Sequence, residues 1–263
     1  MFQFTPMVRN LILVNVGMMF LVGVMPQLLE MLALFPFISE RYRPYQHVTY
    51  MFLHSGLGHI FSNMLALVVF GPMLEKHWGA QRFLAFWLIC GVGAGFLYAS
   101  VRHYELNRMH QDVEAFVAAP SGVGYADFYE HNLPGAQGYT TVARAIQQHP
   151  DDQRLIESAK AQLRAMYDDS VNSPYAGMVG ASGAVFAILF AFGYLFPNTE
   201  LVLFPLPVPI KAKYLVFLYG ALELYKGTHP VPGDNVAHFA HLGGMLFGFL
   251  LLKYWERNST RPY

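Results

Sequence analysis

Long apolar runs constrain the fold of this chain more than any other feature of its sequence. Runs of roughly 20 apolar residues can cross a hydrocarbon layer of about 30 Å as helices. The chain is 54% hydrophobic and only 13% charged, which excludes an ordinary soluble domain. Because backbone polar groups must be satisfied inside a bilayer, we predict an all-α, multi-pass membrane protein. The predicted transmembrane helices are 10–29, 59–74, 83–100, 178–196, 210–224 and 236–254.

The segment 102–175 differs from the rest in composition. It holds ten of the 17 acidic residues but only six of the 17 basic ones. We therefore predict an extramembranous insert between helices 3 and 4, with membrane segments 1–101 and 176–263 on either side. Apolar residues at helical spacing after Pro150 predict a helix that runs to Met166, and a second helix is expected over 104–117.

Lysine and arginine in the short loops predict the orientation of the chain. Basic residues near helix ends accumulate on the cytoplasmic side. An N-terminus on that side puts eight of them in cytoplasmic segments, against Arg41, Arg43 and Lys226 outside. Both termini are therefore expected to be cytoplasmic and the insert external. The absence of a polybasic cluster disfavours nucleic-acid binding.

Ser182 opens the fourth apolar run, between Gly180 and Gly183. A serine becomes a nucleophile when a base accepts its proton and fixed donors hold the resulting oxyanion. Glycines allow close backbone approach, and a helix N-terminus offers unpaired N–H groups. The alternative is structural, with Ser182 as a helix cap and the glycines there for packing.

His241 lies in the sixth run and shares one helix face with Gly244 and Gly248. A stripe of small residues there could pack closely against a similar stripe that begins at Gly183 in the fourth run, and so bring His241 to Ser182. The alternative is a core histidine bonded to a nearby carbonyl or hydroxyl. For His238 a packing or supporting role is favoured.

An acidic partner for His241 is not apparent. Asp234 precedes it by seven residues, or about 10 Å along a helix axis, and is better interpreted as the helix cap. The other acids of the apolar part lie near helix ends or in loops. A Ser–His dyad without an acid is therefore the preferred hypothesis.

A third group of polar residues surrounds the start of the second run. His54 precedes it, and His59 and Asn63 share a helix face at i and i+4. Such side chains can hold a developing oxyanion. Asn63 could instead tie helices together by hydrogen bonding.

In these residues and their order, the chain resembles the rhomboid family of intramembrane serine proteases. The family's three motifs occur in order on the second, fourth and sixth predicted helices. The matches are His59-Ile60-Phe61-Ser62-Asn63, Gly180-Ala181-Ser182-Gly183, and Ala240-His241 with Gly244 and Gly248. The resemblance covers the six-helix core and leaves the insert unassigned.

The resemblance implies that Ser182 is the nucleophile and His241 the general base. His59, Asn63 and the Ser182 backbone N–H would form the oxyanion hole. Phe186 stands where many members have tyrosine, so it could pack on the imidazole but not donate a hydrogen bond. Single-pass transmembrane proteins would be the substrates, with access beside the fifth helix, and no metal or organic cofactor would be required. A bacterial inner membrane is the expected location.

Two other functions are alternatives to a serine protease. His238 and His241 could pair with His54 or His59 around zinc, although no acidic ligand is evident inside the bilayer. A catalytically silent rhomboid-like protein that binds membrane helices is the second alternative. Retention of Ser182, His241 and both oxyanion candidates argues against it.

Overall fold

The structure, a computed structural model, describes residues 4–202, 208–229 and 236–258. This part of the chain is mainly helical, with one short hairpin. The helices are α1 Pro6–Val24, α2 Gln27–Leu32, α3 Gln46–Thr49, α4 Leu57–Trp78, α5 Ala80–Ala118, α6 Gly122–Asn132, α7 Tyr139–Gln148, α8 Gln153–Asn172, α9 Ser182–Leu195, α10 Ala212–Thr228 and α11 His238–Asn258, with a 3₁₀ turn at Tyr50–Phe52. The antiparallel strands β1 Glu200–Val202 and β2 Pro209–Lys211 precede α10.

Each of the six predicted runs contains a helix, but several boundaries were wrong. The first run breaks into α1 and α2 at Met25 and Pro26, since proline cannot donate to a helical hydrogen-bond ladder. Ile210 was predicted to be helical and lies in β2 instead, because the chain pairs there with β1. The prediction of an all-α fold therefore omitted a hairpin.

The third predicted helix does not end at residue 100. Helix α5 continues without a break from Ala80 to Ala118, so the helices predicted over 83–100 and 104–117 are one element of 39 residues. No proline or glycine interrupts the sequence between Ser100 and Ala118, and the polar composition there does not oppose a helix. The change from apolar to charged residues after Ser100 indicates a change in what surrounds the helix, whereas it was interpreted as the end of the helix.

Within the described residues, three helices, α1, α4 and α5, are long and apolar enough to cross a membrane. Their outward faces are unusually apolar: Phe20 on α1 is 74% exposed and Phe61 on α4 is 69% exposed. Side chains of this kind are costly to place in water and suited to lipid. The protein is therefore integrated in a membrane.

The main core places α9 between α4, α5 and α11. Helices α9 and α11 cross with almost no space between their backbones. A β-carbon placed on Gly244 would lie 1.8 Å from the carbonyl oxygen of Gly183, so only glycine fits at this crossing. The close approach predicted from the two small-residue stripes is confirmed, with Gly183 against Ala240 and Gly248 against Ala187.

A buried carboxylate fastens α1 to α4. Glu75 on α4 is 4% exposed, and its oxygens accept hydrogen bonds from the backbone N–H groups of Met7 and Val8, both 2.9 Å away. The Thr5 hydroxyl donates to the same carboxylate. A side chain from another helix thus satisfies the unpaired first N–H groups of α1.

A second hydrophobic core lies outside the main one. It joins the C-terminal part of α5 with α6, α7 and α8, and its centre includes Phe116, Tyr125 and Leu163. Burial raises the pKa of the Tyr125 hydroxyl, which stays protonated and donates to Gln162. The predicted helix after Pro150 is confirmed as α8, whose N-cap Asp152 accepts two backbone N–H bonds.

This second unit is fixed to the main core at two places. One is the continuous helix α5. The other is Asn172 at the end of α8, whose side-chain oxygen accepts from the Ser39 hydroxyl and the Glu40 N–H, while its carbonyl accepts from the Arg41 guanidinium at 2.8 Å. These bonds tie the end of α8 to the segment that precedes α3.

Candidate functional site

Ser182 and His241 meet within hydrogen-bond distance. The Nε2 atom of His241 lies 2.8 Å from Ser182 Oγ. Ser182 is the first residue of α9 and makes no capping bond, so the interpretation as a cap was wrong. An imidazole in this position can accept the hydroxyl proton, which is the relation required between a nucleophile and its base.

The chain that leads into Ser182 is held by backbone bonds. Leu34 and Met178 exchange two N–H to carbonyl bonds of 2.9 Å, and the Gly180 N–H donates to the Tyr50 carbonyl at 3.0 Å. Gly180 adopts φ +135°, a conformation that side chains rarely permit. These contacts fix where α9 begins and therefore where the Ser182 hydroxyl lies.

Phe186 stacks on the imidazole of His241. The ring centroids are 4.2 Å apart and the planes are inclined by 7°. The packing role expected for Phe186 in place of a tyrosine is confirmed. The contact restricts tilting of the imidazole, but it does not choose which ring nitrogen carries the proton.

His59 approaches the same point from α4. A β-carbon on Gly180 would lie 2.8 Å from His59 Nε2 and 3.5 Å from Ser182 Oγ, so the imidazole and the hydroxyl flank one small space. On the other side of its ring, His59 Nδ1 lies 3.0 Å from the Ser55 hydroxyl. If Nδ1 accepts that bond, the neutral ring carries its proton on Nε2, which faces the space.

Asn63 and His54 carry buried polar atoms with no hydrogen-bond partner in the described ranges. Asn63 is 5% exposed, and its Nδ2 lacks an acceptor. Both ring nitrogens of His54 are likewise unpaired, and its ring lies 5.0 Å from that of His59. Unused buried donors are costly unless something else binds them. Asn63, one helical turn beyond His59, is thus available to an oxygen of a bound molecule.

An acidic residue that sequence analysis missed lies against His241. Glu223 Oε2 is 2.9 Å from His241 Nδ1 and 2.6 Å from His238 Nδ1, and all three side chains are nearly buried. His241 Nδ1 makes no hydrogen bond despite this distance, so the carboxylate and the imidazole are in close contact without an aligned hydrogen bond. The expectation that the acids of the apolar part all lie at helix ends or in loops was wrong for Glu223.

The error has a simple cause. The fifth run was predicted to end at Leu224, which put Glu223 at a helix terminus, whereas α10 extends one turn further to Thr228. A single acid in an apolar helix was the signal that could have identified it. Asp234, predicted as the cap of the sixth helix, lies outside the described residues.

The three side chains Glu223, His238 and His241 also form a set that could hold a metal ion. Their potential ligand atoms all lie within 4.8 Å of one another. The zinc alternative had paired His238 and His241 with His54 or His59, but His54 and His59 contact each other instead. A carboxylate and two imidazoles are donors that zinc accepts.

Comparison with known proteins assigns the chain to a family. The model of the rhomboid domain matches residues 41–126 and 161–257, which together make up more than half of the chain. The chain belongs to the rhomboid family. The matched residues include Ser182, His241, His59 and Asn63, while residues 127–160 of the predicted insert fall between the two matched parts.

Three related rhomboids illustrate the range of the family. An uncharacterized mitochondrial rhomboid of Schizosaccharomyces pombe is 28% identical over 81% of this chain and 52% of its own length. The mitochondrial rhomboid protein 1 of Saccharomyces cerevisiae is 39% identical over 32% of this chain and 25% of its own length. The rhomboid protease AarA of Providencia stuartii is 35% identical over 28% of this chain and 26% of its own length.

The chain therefore spans about half the length, or less, of these curated rhomboids. Two of the three are mitochondrial by name, so the relatives do not support a bacterial inner membrane as the location.

Proposed function

We propose that this rhomboid is a serine endopeptidase that cleaves transmembrane segments of other membrane proteins. The observation that carries the proposal is the 2.8 Å contact between His241 Nε2 and Ser182 Oγ at the start of α9. The name of the Providencia relative as a rhomboid protease agrees with it. Neither a metal nor an organic cofactor takes part in the proposed chemistry.

Ser182 is the proposed nucleophile and His241 the general base. His241 Nε2 takes the hydroxyl proton as Oγ bonds to the substrate's carbonyl carbon. The same imidazolium then gives that proton to the leaving amine, and water hydrolyses the acyl-enzyme. Water must therefore reach Ser182.

The negative oxygen of the tetrahedral intermediate needs fixed donors. His59 Nε2, Asn63 Nδ2 and the Ser182 N–H are the proposed ones. Asn63 Nδ2 is buried without a partner among the described residues, and His59 flanks the same space as Ser182 Oγ. Donors that are already in place need no reorganisation during the reaction.

In the proposed membrane arrangement, α1, α4, α5, α9, α10 and α11 cross the bilayer. The unit built from the end of α5 with α6 to α8 stands outside it, on the side where α9 begins. Counts of lysine and arginine put both termini on the opposite, positive side. Substrates would reach Ser182 beside α10, whose outward side chains Tyr214 and Phe217 are 60% and 76% exposed.

A reconstituted protein tests the proposal directly. Wild-type protein in liposomes should cut a single-pass substrate that has helix-breaking residues near its end, and Ser182→Ala should not. A fluorophosphonate should label the wild type at Ser182, and it should leave the variant unlabelled. Cleavage that persists in Ser182→Ala would overturn the serine mechanism.

A metal-dependent reaction is a second candidate because Glu223, His238 and His241 form a possible ligand set. Chelation distinguishes the two. The serine mechanism predicts full activity after dialysis against a chelator, while loss on chelation that added zinc restores would favour the metal. A protein that binds the substrate in liposomes but never cuts it, and is not labelled, would instead be a silent binder of helices.

Replacing Asn63 should slow the reaction without unfolding the protein. Removal of one oxyanion donor costs about 10²–10³-fold in kcat, so Asn63→Ala should fall by that amount with KM little changed. Ser62→Ala is the matched control, since the adjacent Ser62 is exposed and bonds only to the His59 carbonyl of its own helix. Equal activity in Asn63→Ala and Ser62→Ala would show that Asn63 does not stabilise the oxyanion.

A further inference from the structure

Glu223 is an acid buried in an apolar helix, and the proposed Ser–His chemistry gives it no role. Its side chain is 12% exposed, and one carboxylate oxygen, Oε2, contacts two imidazoles at once. A buried carboxylate needs such partners, because an unpaired charge there is strongly unfavourable. Both imidazoles therefore serve as partners of this carboxylate, and one of them, His241, also contacts Ser182.

The two nitrogens of His241 face different groups. Nε2 faces Ser182 Oγ at 2.8 Å and Nδ1 faces Glu223 Oε2 at 2.9 Å. An ionised carboxylate can only accept hydrogen bonds, so it favours the tautomer with the proton on Nδ1. That tautomer leaves a lone pair on Nε2, which is what the base needs in order to accept from Ser182. Stacked Phe186 cannot make this choice, since its ring has no polar atom.

We propose that Glu223 is the positioning residue of the site: it holds His241 in the tautomer that accepts from Ser182 and stabilises the imidazolium that forms. The proposal rests on the proposed protease function. When the Ser182 O–H bond breaks, the proton moves to Nε2 and the Oγ electron pair forms the bond to the substrate's carbonyl carbon. Glu223 stays ionised throughout and exchanges no proton.

His238 acts through Glu223. Its Nδ1 lies 2.6 Å from the same Oε2, so it helps to hold the carboxylate in place. The resting N–H of His241 is not aligned with Oε2, and contacts of this kind commonly tighten when substrate is bound. The acid also comes from α10, whereas the serine and histidine come from α9 and α11, so all three helices must be packed together for the site to be complete.

The test compares Glu223→Gln and Glu223→Asp in liposomes. Glutamine keeps the size and removes the charge, and we expect kcat to fall by about 10²-fold with KM within a factor of about two. Aspartate keeps the charge at a somewhat longer distance and should restore several-fold of the lost kcat. Unchanged kcat in Glu223→Gln, or equal loss in the two variants, would overturn the proposal.

Two further variants separate positioning from stability. Glu75→Gln removes the charge of another buried glutamate, which lies on α4 and accepts hydrogen bonds from the first N–H groups of α1. This variant should lower the melting temperature while kcat per folded molecule stays unchanged. His238→Ala removes a contact of Glu223 and an edge-on ring contact with His241 at 6.3 Å, but it leaves Glu223 Oε2 against His241 Nδ1. It should therefore cost less kcat than Glu223→Gln. An equal loss from His238→Ala would assign the effect to packing of α10 on α11 and overturn the proposal.

The rate of fluorophosphonate labelling at Ser182 gives a readout that needs no protein substrate. Glu223→Gln should slow it by a factor similar to the loss in kcat, and Glu75→Gln should not. Wild-type labelling without any cleavage would refute the endopeptidase function and leave the role of Glu223 standing. Cleavage by the wild type, together with equal labelling rates in wild type and Glu223→Gln, would support the endopeptidase function and refute the role of Glu223.

Discussion

Replacing Ser182 and His241 together should cost no more activity than replacing either one alone. The two side chains act as a unit across a 2.8 Å contact, so neither retains its part of the reaction without the other. In units of this kind each single loss already removes most of the catalysis, and we expect a fall of at least about 10⁴-fold in kcat for Ser182→Ala, His241→Ala and the double variant. Cleavage in liposomes measures all three.

Matched controls exist for both residues. Ser100→Ala removes a serine on α5 that bonds only to the Phe96 carbonyl of its own helix. His110→Ala removes a histidine of the second unit that packs on Tyr167. Both should retain wild-type activity. Losses from Ser182→Ala and His241→Ala that multiply in the double variant would mean that the two residues act independently, which contradicts the dyad.

A methyl group on Gly244 should destabilise the protein more than a methyl group on any other glycine of α11. The added β-carbon would lie 1.8 Å from the Gly183 carbonyl oxygen, and neither backbone can yield without separating α9 from α11. Overpacking of this severity costs at least about 3 kcal/mol. Because Ser182 and His241 sit on these helices, Gly244→Ala should also reduce fluorophosphonate labelling of the molecules that stay folded. Thermal unfolding in detergent measures the stability.

Two other glycines make this a graded series. A β-carbon on Gly248 would meet Ala187 at 3.4 Å, an ordinary contact, and one on Gly17 would meet nothing within 4 Å. Gly248→Ala should change stability little, and Gly17→Ala should raise it by up to about 1 kcal/mol, since alanine is the better helix former. If Gly244→Ala unfolds at the same temperature as Gly17→Ala, close packing does not hold the site together.

The residues of the site were more predictable than the element boundaries. Ser182, His241, His59 and Asn63 lie in three sequence motifs, and the helical period alone put His59 and Asn63 on one face. The approach of α9 to α11 followed from small residues at four-residue spacing, because side-chain size determines how near two helices can come. These inferences depend on local sequence, which is why they could be made without coordinates.

Glu223 could not be assigned in the same way. Its contact with His241 joins residues 18 apart in sequence on two helices, and the segment between them carries no motif. The continuous α5 was missed for a different reason, since the transition from apolar to charged residues says what surrounds a helix and not whether the helix ends. The hairpin β1–β2 was missed because strands of three residues are too short to show alternation.

The unbroken helix α5 sets a distance as well as a connection. Its part beyond Ser100 has 18 residues and extends for about 27 Å at 1.5 Å per residue. The helices around that part form a projection that we call the post. Asn172 at the end of α8 bonds to the segment 39–41, which ties the post to the main core at a second point. In the proposed arrangement, a folded domain attached close to a substrate's membrane segment would collide with the post, whereas a flexible stalk longer than its height would carry such a domain clear of it. In that proposed arrangement, we expect the length of this helix to select substrates by the spacing of their soluble domains from the bilayer.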